Sequence, residues 1–127
     1  MVTPNSEELG ILISAPIKTA EEAGRGKWLL KTGAKNVVLT GGHLSDNADL
    51  LFTETGEEIQ IPGERIDSPN THGTGCAFST GIACNLAKGL EVELAVYRAK
   101  EFVREAIRSA PGLGKGKGPM NLKGSTQ

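Results

Sequence analysis

The run Asn70-Thr71-His72-Gly73-Thr74-Gly75-Cys76 constrains this chain more than any other stretch. It leads two glycines and a thiol into a long pattern of small and apolar residues, Ala77 to Lys88, which reads as a helix. A helix start leaves backbone N–H groups without intrahelical partners and carries the positive end of the helix dipole, so the loop before Ala77 suits an anion. Glycine permits close backbone approach, and a helix N-terminus favours the thiolate of a cysteine placed there. Chemistry on a phosphate fits these features. Two plainer readings stand beside it: Gly73 and Gly75 only shape a tight loop, and Cys76 is a small buried hydrophobe. Gly-x-Gly alone does not choose between them.

The surrounding pattern is that of an α/β protein. The helix after the loop carries Phe78, Ile82, Ala83 and Leu86, apolar on almost every side, and is therefore expected to be buried, with Cys84 part of its packing and Gly89 ending it. Lys35 to Thr40 reads as a buried parallel strand that delivers Gly41-Gly42-His43 to its C-terminal edge, where open α/β sheets bind ligands. His43 reads as a loop or packing residue. Asp49 to Thr53 and Glu57 to Ile61 form a hairpin around Thr55-Gly56, expected to extend the sheet edge. Glu91 to Arg108 is amphipathic, with Val92, Val96, Ala99, Val103 and Ala106 on one stripe and Lys100 at its border.

Nearer the start, Asn5-Ser6-Glu7-Glu8 has the form of a helix cap. Ile11 to Lys18 reads as a helix end and a connection, interrupted by Pro16. Thr19 to Glu22 opens a further helix that runs to Gly33, weakened at Gly24 and Gly26 by about 1 kcal/mol each relative to alanine. Trp28, Leu29 and Leu30 are expected to be its packing surface.

At 127 residues the chain allows one domain. A net charge of -1 with scattered lysines argues against a nucleic-acid footprint. Cys76 and Cys84 lie about two helical turns apart, too far for a disulfide, and no Cys-x-x-Cys or histidine cluster suggests a zinc-type site. A reduced, cytoplasmic setting fits, and no apolar run approaches membrane-spanning length. Residues 123–127 read as a disordered tail.

Several motifs together closely resemble the phosphomethylpyrimidine kinases of thiamine biosynthesis, within the ribokinase-like superfamily. They are Arg65-Ile66-Asp67, the run Asn70 to Cys76, Arg98-Ala99-Lys100-Glu101-Phe102-Val103 and Ala110-Pro111-Gly112-Leu113-Gly114. The Gly-Thr-Gly-Cys signature is specific, since most of that superfamily carries aspartate where this branch has cysteine. The resemblance runs from about Val2 to Leu122 and corresponds to the C-terminal half of the family's domain. It implies the C-terminal half of a ribokinase-like three-layer fold over residues 1–122, with a mostly parallel sheet, flanking helices and an edge hairpin. Met1 to Asn5 resembles the end of a central strand, so the chain reads as a fragment, or as one whose missing half comes from another chain or an oligomer.

The implied activity is phosphoryl transfer from ATP to hydroxymethylpyrimidine phosphate, with Mg2+. Cys76 would be the base in an anion hole formed with Gly73, Thr74 and Gly75, and Lys100 would point to the phosphate being transferred. As a plain border residue, Lys100 could instead snorkel to water. Asn5 and Glu8 match an Asn-x-x-Glu motif that holds magnesium largely through water, a role compatible with capping. Thr40, Gly41, Gly42, Thr71, Gly116 and Gly118 fall on the nucleotide side. Thr40 replaces the lysine usual in the family, so a positive charge is missing there. Gly112 to Pro119 is either a flexible basic connector or a flap over the nucleotide. Two other functions stay open: a non-catalytic nucleotide- or phosphate-binding half-domain that needs a partner chain, and a cysteine-based redox or acyl-transfer protein. The latter lacks an orienting base triad.

Overall fold

Residues 1–40, 48–62 and 74–108 are described by the computed structural model, and the chain divides into two units, Met1–Gly63 and Glu64–Gln127. In the first unit, Asn5 opens α1 (Ser6–Ile13) through a reciprocal cap. The Asn5 Oδ1 accepts from the Glu8 amide at 2.7 Å and the Glu8 Oε1 accepts from the Asn5 amide at 2.9 Å. Two orphan donors of the first turn are thereby satisfied. Thr19 caps α2 (Ala20–Ala23), its Oγ1 accepting from the Glu22 amide at 3.1 Å.

The single helix expected from Thr19 to Gly33 is in fact two pieces. After α2 the chain tightens into a 3-10 helix, Gly24–Thr32, which ends on Gly33 at φ 102°. The two glycines lie at the change of helix type, and Gly26 has a packing reason: a Cβ there would lie 2.5 Å from the Phe52 ring. Leu29 is buried and Leu30 half-buried, whereas Trp28 is exposed beneath the Arg25 guanidinium, 5.7 Å from the ring centroid. Arg25 also pairs with Glu22 at 3.3 Å. The expectation that Trp28 packs inward is therefore corrected: a cation on its face lets the ring stay at the surface.

The sheet is built from β1 (Val37–Leu39), β2 (Asp49–Phe52) and β3 (Glu58–Ile61) in the order β1-β2-β3, both pairings antiparallel. Val37 faces Phe52 and Leu39 faces Leu50 in this register. Gly56 turns the hairpin at φ 90°, as its position between two β runs predicts. The mostly parallel character expected from the sequence is limited here to two bridges, Val2 with Val37 and Asn5 with Thr40. The cause is connectivity. Parallel neighbours need a crossover, and among the described residues only the helical passage from α1 to β1 supplies one, while β2 and β3 are joined by a hairpin turn. Helices and sheet together keep the α/β character. The core of this unit gathers Leu9, Ile17, Ala23, Leu29, Val37, Leu39, Leu50 and Phe52.

In the second unit α3 (Thr74–Ala87) and α4 (Val92–Arg108) form a helical hairpin. Gly89, at φ 91°, ends α3: its amide donates to the Leu86 carbonyl at 2.9 Å and the Leu90 amide to Asn85 at 3.2 Å. That is a Schellman cap, which requires a residue at ease with positive φ. α4 buries Ala95, Val96, Ala99 and Ala106, close to the stripe read from the sequence. α3 departs from its expectation. Phe78 and Ile82 are buried, but Cys76, Ala83, Cys84 and Ala87 are exposed, so the helix is apolar all round yet covered on one side. Cys84 is thus not a packing residue here, because it lies on the face turned away from Phe78 and Ile82.

Candidate functional site

The first unit brings three of the sequence candidates together. Residues 2–5 run parallel to β1: the Val38 amide donates to the Val2 carbonyl at 2.9 Å, and the Thr40 amide to the Pro4 carbonyl at 2.9 Å. Asn5 and Thr40 are bridge partners, so they emerge side by side at the C-terminal ends of two parallel segments, with Glu8 in the first turn of α1. This is the edge where α/β sheets receive ligands. The Thr40 hydroxyl reaches the Pro4 carbonyl at 3.4 Å, so it helps fasten the two segments. Gly41, Gly42 and His43, which follow Thr40, lie outside the described residues.

Capping occupies one carboxylate oxygen of Glu8 and leaves the second outside the cap. Both Asn5 and Glu8 are exposed. Magnesium keeps several waters and is held by one or two carboxylates plus phosphates. A single exposed carboxylate with an adjacent amide fits an ion carried on a nucleotide. No group of three or more possible ligands occurs among the described residues, so a closed all-protein cage is not the arrangement found there. Because Asn5 caps α1, Asn5→Ala is expected to lower stability by about 0.5–2 kcal/mol in urea unfolding, whereas Asn5→Asp keeps the cap. Equal stability of the two variants would show that the cap contributes nothing.

In the second unit Cys76 is a free, exposed thiol in the first turn of α3. Thr74 and Gly75 begin that helix, while Thr71, Gly73, Gly116, Gly118 and the tail 123–127 lie outside the described residues. Exposure removes the plain reading of Cys76 as a buried hydrophobe.

Two close approaches set the register of α3 on α4. The Asn85 Nδ2 donates to the Ala95 carbonyl at 3.0 Å, and a Cβ on Gly81 would lie 3.2 Å from the Ala99 Cβ. Continuing that antiparallel register puts Cys76 level with Arg104 and Lys100 level with Thr80. Lys100 is therefore about 6 Å along the axis from the level of Cys76. Its Cα–Cβ bond also leans toward the start of α4, the end remote from Cys76. Arg104 pairs with Glu101 at 2.8 Å. Sequence reasoning missed Asn85 and Gly81 as the residues that fix this register. A polar residue and a glycine inside an apolar helix were the available signals.

The family is shown by a profile match and by sequence relatives, while the solved structure described below is a pyridoxal kinase. The phosphomethylpyrimidine kinase family profile matches residues 1–121. The thiamine biosynthesis bifunctional protein ThiED of Geobacter sulfurreducens is 44% identical over 126 residues, covering 95% of this chain and 25% of that protein. The hydroxymethylpyrimidine/phosphomethylpyrimidine kinase of Staphylococcus aureus strain MSSA476 is 39% identical over 127 residues, covering 95% of this chain and 45% of the relative. Among solved structures, an ADP complex of Bacillus subtilis pyridoxal kinase superposes with a TM-score of 0.81 at 38% identity, covering 95% of this chain and 47% of the other. The chain thus spans less than half the length of these proteins.

Proposed function

Since the chain belongs to the phosphomethylpyrimidine kinase family, we propose that it carries the phosphate-handling part of an ATP-dependent kinase acting on hydroxymethylpyrimidine phosphate. The observation that carries this reading is the exposed Cys76 thiol at the start of α3, directly after Gly73-Thr74-Gly75. Amides from Gly73 to Cys76 would stabilise the charge that develops on the transferred phosphoryl group. Cys76 would accept the proton from the attacking oxygen, as a new O–P bond forms and the bond between the β and γ phosphates of ATP breaks to release ADP. Lys100, set back from the thiol along α4, would serve the phosphate rather than the proton transfer. Thr40, Gly41, Gly42, Thr71, Gly116 and Gly118 would hold the nucleotide, and Asn5 and Glu8 would hold its magnesium through water. When bound, that ion neutralises phosphate charge.

The second reading is a non-catalytic half-domain that binds nucleotide or phosphate and needs a partner chain for turnover. The test is ATP consumption by the chain, alone and supplemented with the other half of the S. aureus kinase, using hydroxymethylpyrimidine phosphate and pyridoxal in parallel. Hydroxymethylpyrimidine phosphate is expected to stimulate ADP formation most. Preference for pyridoxal would move the chain to the vitamin's kinases, and no ADP with any acceptor would defeat the catalytic reading.

Thr40→Lys restores the cation at the nucleotide edge and is expected to tighten ADP binding about tenfold by calorimetry, the range of one charge-assisted hydrogen bond. Unchanged affinity would mean that Thr40 serves only the contact with Pro4.

A further inference from the structure

Asn85 is a half-buried polar residue in the contact between α3 and α4. Its Nδ2 donates to the Ala95 carbonyl at 3.0 Å, and Ala95 is fully buried. An amide in that place costs desolvation, which the hydrogen bond offsets, whereas a leucine of similar size would fill the space without the cost. Such a residue specifies register more than it adds stability, as a lone asparagine does in a coiled-coil seam. Gly81, one turn nearer the start of α3, makes the second contact: a Cβ on it would lie 3.2 Å from the Ala99 Cβ, tighter than ordinary packing.

The two contacts agree on one antiparallel register, Asn85 opposite Ala95 and Gly81 opposite Ala99. They restrain different movements. The hydrogen bond resists sliding along the axes, and the glycine sets how closely the axes approach. Cys76 lies only about 7.5 Å along the helix from Gly81, so a displacement at either contact is carried to the first turn of α3. Lys100, next to Ala99, stays with α4. We propose that Asn85 and Gly81 are positioning residues for phosphate: they fix the offset between the amides at the start of α3 and the Lys100 ammonium, so that both reach one phosphate group. The inference rests on the phosphate-handling reading of those two elements and adds what holds them in reach of each other. Asn85, about 14 Å from Cys76 along α3, acts through the helix and not on the ligand.

The test is calorimetric titration of the 127-residue chain with magnesium and AMP-PCP, an ATP analogue that resists hydrolysis, arranged as a double-mutant cycle. Lys100→Met is expected to weaken binding about tenfold in the native chain, the range of one charge-assisted hydrogen bond, but less than about threefold once Asn85→Leu is present. Asn85→Leu alone should weaken binding about tenfold while the melting temperature holds or rises, a combination that a merely structural residue does not give. Gly81→Ala should also weaken binding, and Gly81→Ala combined with Ala99→Gly should restore it, because the new methyl then meets only the Cα at position 99, 3.7 Å away. A Lys100→Met effect that is absent, or that is the same with and without Asn85→Leu, overturns the proposal, as does a fall in melting temperature with Asn85→Leu or failure of the glycine–alanine exchange to restore affinity. Each of these leaves nucleotide binding by the native chain standing, whereas no binding by the native chain overturns the phosphate-handling reading and this inference together.

Discussion

Cys76→Ser is expected to lower phosphoryl transfer by about 10²–10⁴-fold in the assembled domain, the usual contribution of a positioned general base, while leaving nucleotide affinity nearly unchanged. Serine preserves the size and the backbone amide at the start of α3, so on the proposed reading the anion hole would survive and only the proton acceptor would be lost. The thiol is exposed, and little packing is disturbed. Initial rates and ADP titration on the same preparation separate the two effects. Equal loss of rate and affinity would assign Cys76 a structural role, and an unchanged rate would remove it from the chemistry.

The second large effect is on stability. Gly26→Ala is expected to cost about 1–3 kcal/mol, because the new methyl would lie 2.5 Å from Phe52 Cε2 and 3.1 Å from Cδ2 and Cζ. Phe52 is 1% exposed and packs within the core shared with Leu29, Val37 and Leu50, so its ring has little room to move aside. Gly24→Ala is the control. A Cβ there meets only the Glu58 carboxylate at 3.7 Å, and helix propensity favours alanine by up to about 1 kcal/mol. Opposite signs for two glycines so close in sequence would show that Gly26 is kept for close approach. If both substitutions stabilise in urea unfolding, the contact with Phe52 is not limiting.

These cases show which parts of the fold the sequence disclosed. The Asn5–Glu8 cap, the Gly33, Gly56 and Gly89 turns and the stripe of α4 were all legible, because each depends on a few adjacent residues. Strand direction was not. Lys35 to Thr40 reads the same whether its neighbour is parallel or antiparallel, and β1 has one of each, residues 2–5 on one side and β2 on the other. Burial of α3 was also misjudged, since an all-round apolar pattern says that a helix can be covered but not by which polypeptide. At the site, sequence motifs named Asn5, Glu8 and Thr40 separately. Only the bridge between Asn5 and Thr40 shows that they share one edge. The register of Lys100 against Cys76 was likewise invisible, because it is set by Gly81 and Asn85 on the facing helix.

The measurement that tests the central claim most directly is calorimetric titration of the 127-residue chain with ADP and magnesium, compared with its Gly73→Val variant. Saturable binding by the native chain and a loss of at least about tenfold in the variant are predicted, since a branched side chain would close the backbone approach to phosphate. Absence of binding, or binding that ignores Gly73, would contradict the assignment of the phosphate end of a kinase site to this chain.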